Sequence, residues 1–302
     1  MKKGIGLVFG TAIISGISVF LNAFGVKDIN PFLFTGAKNF LVAICLLSTL
    51  ILFKNFSSLK KLNIKQWTNL VFIGLIGGSI PFLLFFKGLQ LISPAQGSFI
   101  HKTMILWVGI LALIFLKEKI NVKLIVGLII LLAGNFLLLK ITSFDLTTGA
   151  LLVFAATIFW SVEIILSKKL LKNTSGNVLA FGRMFFGSIF IFLYLLFTNQ
   201  LSGMMSLTTP QLGWIVLTSI FLFVYVTTFY NGLKYIKAST AIAILSLGAV
   251  ITTILNIIFL DKILMLHQFI GLTSIVVGSL LISLFSEKSI NQISQQQILD
   301  EW

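Results

Sequence analysis

Four ionisable side chains, Lys38, Lys102, Glu163 and Arg183, stand inside long apolar stretches of the chain. An ionised group near the centre of a lipid-embedded helix costs about 2.5 to 3.5 kcal/mol on insertion scales, so such groups mark a cavity or a pathway. Lys102 sits about 5 Å from the middle of its stretch at the usual helical rise, too deep for easy escape to water. Its ammonium suits a substrate carboxylate or phosphate; the competing reading is a structural lysine that snorkels or bonds backbone carbonyls. Its neighbour His101 is either a plain hydrogen-bonding imidazole or a proton relay. Glu163, the one acid inside a stretch, falls at a depth similar to Arg183. The two form a structural ion pair, or Glu163 serves coupling or binds a substrate amine. Lys38, near the end of its stretch, is expected to snorkel.

Trp107, Trp160, Tyr225 and Tyr230 offer faces for an apolar or cationic substrate group. The candidate binding set is therefore Ser98, His101, Lys102, Trp160, Glu163, Tyr225 and Ser246, with Glu163 and Arg183 as ion pair or coupling pair. Two histidines (His101 and His267), the single Cys45 and one embedded acid make no metal-ligand pattern and no nucleophile-base spacing. No enzyme, cofactor or metal is expected.

The elements that must hold these residues follow from composition. Of 302 residues 58% are apolar and 10% charged, against roughly 45 to 50% and about 25% in soluble domains. This excludes a secreted enzyme, a coiled coil and a disordered tail. Apolar stretches run over 5–24, 32–53, 68–86, 94–116 and 122–139, then over 148–167, 178–197, 212–230, 238–260 and 266–285. Each approaches the roughly 20 residues that cross a bilayer as a helix. A lipid-embedded chain must satisfy its own backbone hydrogen bonds, and these stretches are about twice as long as barrel strands. The expectation is an all-α membrane protein with ten transmembrane helices. Lys2 and Lys3 resemble a signal-peptide start, but no small-residue cleavage site follows and the stretch has a partner later in the chain. It is kept as a helix.

The net charge of +14 is carried by connections rather than by a nucleic-acid face. Alternate connections hold 15 Lys on one side and 4 on the other, the latter being Lys27, Lys87, Lys140 and Lys262. The positive-inside rule makes both termini cytoplasmic. The partners expected are the lipid bilayer and a small-molecule metabolite, with the chain acting as monomer or homodimer in a bacterial inner membrane. The polar segment 287–302 is read as a short cytoplasmic tail.

The chain also repeats itself. At an offset of 145 Phe9 meets Phe154, Ile13 meets Ile158, Lys38 meets Arg183 and Phe40 meets Phe185. Near 144 Gly88 meets Gly232 and Ile92 meets Ile236; Glu118-Lys119-Ile120 is answered by Asp261-Lys262-Ile263. Gly127 and Gly134 match Gly271 and Gly278, spaced for close packing on a neighbouring helix or on a second copy. Each half, 4–140 and 148–286, has five helices. An odd number turns the second half upside down, the inverted repeat that places a substrate site near the midplane.

Polar and small residues spaced at three and four define stripes expected to face inward: Thr11, Ser15, Ser18 and Asn22; Ser98, His101, Lys102, Gly109 and Ala112; Ala156, Trp160, Glu163 and Ser167; Ser239, Ala243, Ser246, Thr253 and Asn256. Helix packing is the alternative reading of the small and hydroxyl residues among them.

The two five-helix repeats, the stretch FKGLQLISPAQGSF before the fourth helix, its end LKEKI, and the answering FYNGLKYIKASTAIA and LDKIL together resemble the EamA-type drug/metabolite transporter superfamily. That resemblance covers residues 4 to 286. It implies an exporter or exchanger of small metabolites, with the fifth and tenth helices peripheral and the others around a central cavity. The chain departs from the pattern in lacking the proline often found within the fourth and ninth helices, where Met104 and Gly248 stand, and in carrying Lys38 for the usual arginine. The function class favoured is a secondary carrier of metabolites, amino acids or organic anions among them; the alternative is a channel or a non-transporting membrane scaffold.

Overall fold

The computed structural model describes residues 2–26, 29–53, 56–118, 122–139, 146–261 and 263–284, and the backbone of the last helix as far as Asp300. Lys27, Lys119, Ile120, Lys140 and Lys262, and the side chains of the C-terminal segment, lie outside that description. Ten helices of 18 to 26 residues are long and apolar enough to cross a bilayer. They are α1 (Lys2–Gly25), α2 (Pro31–Leu52), α3 (Ile64–Leu89), α4 (Gln96–Leu116), α5 (Val122–Leu139), α6 (Thr148–Leu170), α7 (Gly176–Phe197), α8 (Thr209–Leu233), α9 (Ala238–Leu260) and α10 (Leu266–Leu284). No strand occurs among the described residues.

Local signals start the helices where they do. Asn30 accepts from Phe32 N, Ser175 from Val178 N and Thr147 from Ala150 N, each satisfying a first-turn N–H that has no helical partner. α3 and α8 open on matching capping boxes, Asn63 with Gln66 and Thr208 with Gln211, 145 residues apart. Pro31 and Pro210 occupy first turns of α2 and α8, where a missing N–H costs nothing.

Three spans are interrupted, which hydropathy does not reveal. α3 breaks at Ser79 into Ile64–Gly78 and Ile80–Leu89. α4, whose first piece begins at Pro94, breaks at Thr103, and α9 breaks after Leu245. The α4 and α9 breaks lie at equivalent repeat positions and use no proline. Each is a tightened turn closed by i to i+3 bonds: Leu106 N to Thr103 O at 2.9 Å, and Leu247 N to Ile244 O at 3.0 Å. In each a hydroxyl bonds back to a carbonyl of the preceding turn, Thr103 Oγ1 to Ile100 O and Ser246 Oγ to Ile242 O.

Packing follows the repeat. α1 lies on α8 as α6 lies on α3; α1 meets α9 as α6 meets α4; α2 packs on α7 and α5 on α10. Glycines set the closest crossings. A Cβ at Gly4 would stand 3.1 Å from Gly232 O, and one at Gly88 2.7 Å from Gly149 O. Between α5 and α10, Gly127 faces Gly278 and Gly134 faces Gly271, with added Cβ atoms 2.7 to 3.3 Å from the opposing carbonyls. The lower number of one helix meets the higher number of the other, so these repeat-equivalent helices run antiparallel, the relation that an inverted repeat requires. Both glycine pairs are thereby used within the chain. Among the described residues α5 and α10 otherwise touch only α4 and α9 to any extent, so they are peripheral. Their outer faces, with Ile129, Phe269 and Leu284 among them, are left to lipid.

Candidate functional site

The site begins with a proline. Pro81 has no N–H to bond the carbonyl four residues back, so Gly77 O is released from the helix ladder. Two side chains of the other half take it. Trp160 Nε1 donates to Gly77 O at 3.1 Å and an Arg183 terminal nitrogen at 3.0 Å. Gly78 O, next in line, accepts from Asn39 Nδ2 at 3.1 Å. Gly77 must be glycine because a Cβ there would overlap Glu163 Cγ and stand 3.2 Å from Arg183 Nε. Gly78 and Gly187 interlock in the same way, an added Cβ on Gly187 falling 2.7 Å from Gly78 Cα. The break in α3 is thus a socket into which α6 and α7 press their charged side chains.

Glu163 is 2% exposed. Its Oε1 accepts from Tyr230 Oη at 2.7 Å and from Ser167 Oγ. The Arg183 guanidinium lies 5.9 Å from the centre of the Tyr230 ring, and its Nε is buried without a hydrogen bond. Among the described residues no direct ion pair joins Glu163 to Arg183; Gly77 and the Tyr230 ring stand at both. Tyr225 stacks on Phe229 at 5.8 Å, and Phe229 meets Tyr230 edge-on at 5.3 Å, which extends the aromatic wall along α8.

His101 joins the same cluster. Its ring meets that of Trp160 at 4.9 Å and that of Phe85 at 5.4 Å, and its Nδ1 is buried without a partner. Lys102 makes no hydrogen bond or ion pair with any described residue and occupies the last turn before the Thr103 break. The partial negative charge of a helix C-terminus therefore lies at a mid-span position beside its ammonium. Ser98 is half-buried one turn earlier, and Ser246, 8% exposed, donates its hydroxyl to the carbonyl of Ile242. The stripe Ala156, Trp160, Glu163, Ser167 is buried throughout, as are Ser239 and Ala243 of α9. Thr253 and Asn256 are half-buried.

The first half holds an incomplete copy of this cluster. Lys38 Nζ donates to Asn22 Oδ1 at 2.8 Å and lies 4.8 Å from the Phe34 ring centre; Asn22 Nδ2 donates to Ser18 O at 2.6 Å. At the repeat offset of 145, Ser18, Asn22 and Lys38 stand where Glu163, Ser167 and Arg183 stand. Lys38 is held by the protein rather than stretched to an interface. Among the described residues only the second cluster has a carboxylate.

Sequence reasoning singled out Trp160, Glu163, Ser167, Arg183, Tyr225, Tyr230 and His101, and the structure brings them together. It did not single out Gly77, Pro81 or Asn39. The signal was present in Gly77-Gly78-Ser79-Ile80-Pro81, a helix-breaking run inside an apolar span, and interrupted spans build transporter sites. Among the described residues no three His, Cys, Asp or Glu come together to hold a metal ion.

This architecture has known relatives. The EamA-like transporter family model matches twice, over residues 2–140 and 147–284. The uncharacterized transporter YyaM of Bacillus subtilis (strain 168) is 25% identical over 223 residues, 72% of this chain and 73% of its own. A second uncharacterized transporter of that organism, YetK, is 26% identical over 301 residues, 95% of this chain and 89% of its own. A solved crystal structure at 19% identity superposes with a TM-score of 0.78 over 94% of this chain and 98% of that one, which bears on the fold alone. Ten spanning helices, two matched halves and buried charges at a broken helix place the chain in the EamA-like transporter family as an integral membrane transporter.

Proposed function

We propose that the protein is a secondary carrier of small metabolites, an exporter or exchanger, in a bacterial cytoplasmic membrane with both termini in the cytoplasm. The observation that carries this reading is Lys102: an ammonium with no partner among the described residues, at the end of a half-helix, beside the His101–Trp160 ring pair. An unpaired cation at that depth is costly unless a ligand anion or cavity water meets it. The favoured substrates carry a carboxylate or phosphate for Lys102 and a flat or apolar part for Trp160 and Tyr225, so amino acids and organic anions head the list. Glu163 and Arg183 meet α3 at its break, so a change in how α3 and α6 pack would alter their contacts with Gly77. Rocking of one half against the other would expose the site alternately to each side.

The test is a thermal-shift screen of the purified protein against amino acids, nucleotides and organic acids, repeated with Lys102→Ala. Ligands that raise the melting temperature of the wild type lose that effect in the variant; equal shifts in both remove Lys102 from the site. Counterflow in proteoliposomes loaded with a hit then separates a carrier from a channel, because only a carrier shows saturable uptake stimulated by counter-substrate.

A further inference from the structure

A second polar site lies beyond this cluster on the face that carries most of the lysines, where Lys234 stands one helical turn past Tyr230. A cavity of about 320 Å³ is lined by Ser58, Lys61, Gln66, Thr174, Ser175 and Lys234, with Leu62, Asn173 and Val178 completing the wall. That volume is at the lower end of small-molecule sites, about 300 to 1,000 Å³. Three observations converge. Two lysines and, among the described residues, no acid line it. The positive end of α7 opens beside it at Ser175 and Gly176. Thr174, 6% exposed, buries its hydroxyl oxygen with no hydrogen-bond partner. A buried hydroxyl without a partner is costly, and a bound acceptor would satisfy it. The cavity also joins the halves: Lys61 and Gln66 come from the first, Thr174 and Lys234 from the second. Lys234 Nζ donates to Thr174 O at 3.4 Å and Gln66 Nε2 to Asn173 O at 3.3 Å across it.

The repeat supplies an internal control. On the opposite face, at offsets of 145 and 144, Lys61, Thr174 and Lys234 are answered by Ser206, Ile29 and Gln90. Ile29 there is buried in an apolar cluster with Phe34 and Ile215. At the equivalent place hydrocarbon takes the position of the buried Thr174 hydroxyl and neither lysine recurs, so the scaffold itself requires none of the three. We infer that this cavity binds a phosphate ester anion, gripped by Lys61, Lys234 and the Thr174 hydroxyl, and that its occupancy ties the two halves together on the basic face. A phospholipid headgroup and a soluble phosphate ester share this chemistry, and basic pockets between spanning helices suit headgroups.

Two arms tell them apart, using purified full-length protein. Calorimetric titration with glycerol 3-phosphate in detergent reads the soluble source. Native mass spectrometry after extraction from vesicles of phosphatidylglycerol and phosphatidylcholine reads retained phosphatidylglycerol. Thr174→Val keeps the side chain's shape and weakens binding about tenfold, the worth of one hydrogen bond to a charged group. Lys61→Ala with Lys234→Ala abolishes it. Ligand-free melting temperature, read for each variant, confirms that Thr174→Val stays folded. A loss confined to the lipid arm assigns a headgroup, and one confined to the soluble arm assigns a free ester. If neither probe binds the wild type more tightly than it binds both variants, the inference is wrong. Neither arm depends on the transported substrate, so failure here leaves the carrier reading to its own test.

Discussion

At the scale of single residues the decisive quantity is the cost of an unsatisfied buried polar atom. Glu163 Oε1 is held by Tyr230 and Ser167 in a place that water does not reach. Tyr230→Phe deletes one donor and leaves the tyrosine's volume behind, so stability falls by about 1 to 3 kcal/mol. Thermal unfolding of the purified variant checks this, and an unchanged melting temperature would mean that Ser167 alone suffices. Arg183 differs from its counterpart Lys38 in the same terms. A guanidinium offers several donors in a plane, enough to reach Gly77 O and to lie against Tyr230 at once, whereas the ammonium of Lys38 is served by one amide oxygen and one ring face. The position was legible in the sequence as a paired cation. Its partner was legible only indirectly, through the Gly77-to-Pro81 helix-breaking run, because Gly77 O is a backbone group.

At the scale of helices, interruption and close approach matter more than length. Pro81 is tolerated because it falls in the first turn after the Ser79 break. Pro81→Ala returns an N–H opposite Gly77 O, where it competes with Trp160 and Arg183. Transport then drops about tenfold, the value of one displaced hydrogen bond, with only a small change in melting temperature; a proteoliposome flux assay beside a thermal melt reads both. Full flux in that variant would show that the freed carbonyl is dispensable. Glycines divide into two kinds by the same reasoning. A Cβ at Gly271 would lie 2.7 Å from both Gly134 O and Leu138 N, so Gly271→Ala forces α5 and α10 apart and costs about 1 to 3 kcal/mol. Gly10 has nothing within 4 Å of an added Cβ, and Gly10→Ala gains about 0.5 to 1 kcal/mol from helix propensity. Opposite shifts in melting temperature are the expected result. The spacing of the matched glycines marked α5 and α10 for close packing, but only the crossing shows that each is the other's neighbour.

At the scale of the whole molecule, the two halves are tied at one end of α4. Glu118 Oε1 accepts from Ala238 N at 2.7 Å and Oε2 from Ser239 Oγ at 2.6 Å, capping the start of α9 from the other half. Close by, Lys168 Nζ donates to the carbonyls of Leu233 and Ile236, each at 2.6 Å, and so fixes the turn between α8 and α9. If the halves rock, this latch must open. Glu118→Ala removes charge-assisted bonds that hold the arrangement seen here, and the population of any state in which they are broken rises about tenfold. Its measure is the rate at which a thiol reagent labels Ser246→Cys in a Cys45→Ala background, because Ser246 is 8% exposed as the molecule stands. An unchanged labelling rate would place the closure elsewhere.

The sequence by itself determined ten apolar spans, the doubling of a five-helix unit and the identity of the charges that must avoid lipid. These are read along the chain, because hydration of apolar groups and the cost of buried charge act on each segment independently of its neighbours. What a charge meets is not a property of its segment. An ion pair between Glu163 and Arg183 is one of the two readings that the sequence offers, yet each is bonded to groups from α8, α6 or α3 that lie up to 106 positions away. The fold alone decided that, because a broken helix exposes a carbonyl only to whatever the tertiary packing brings against it.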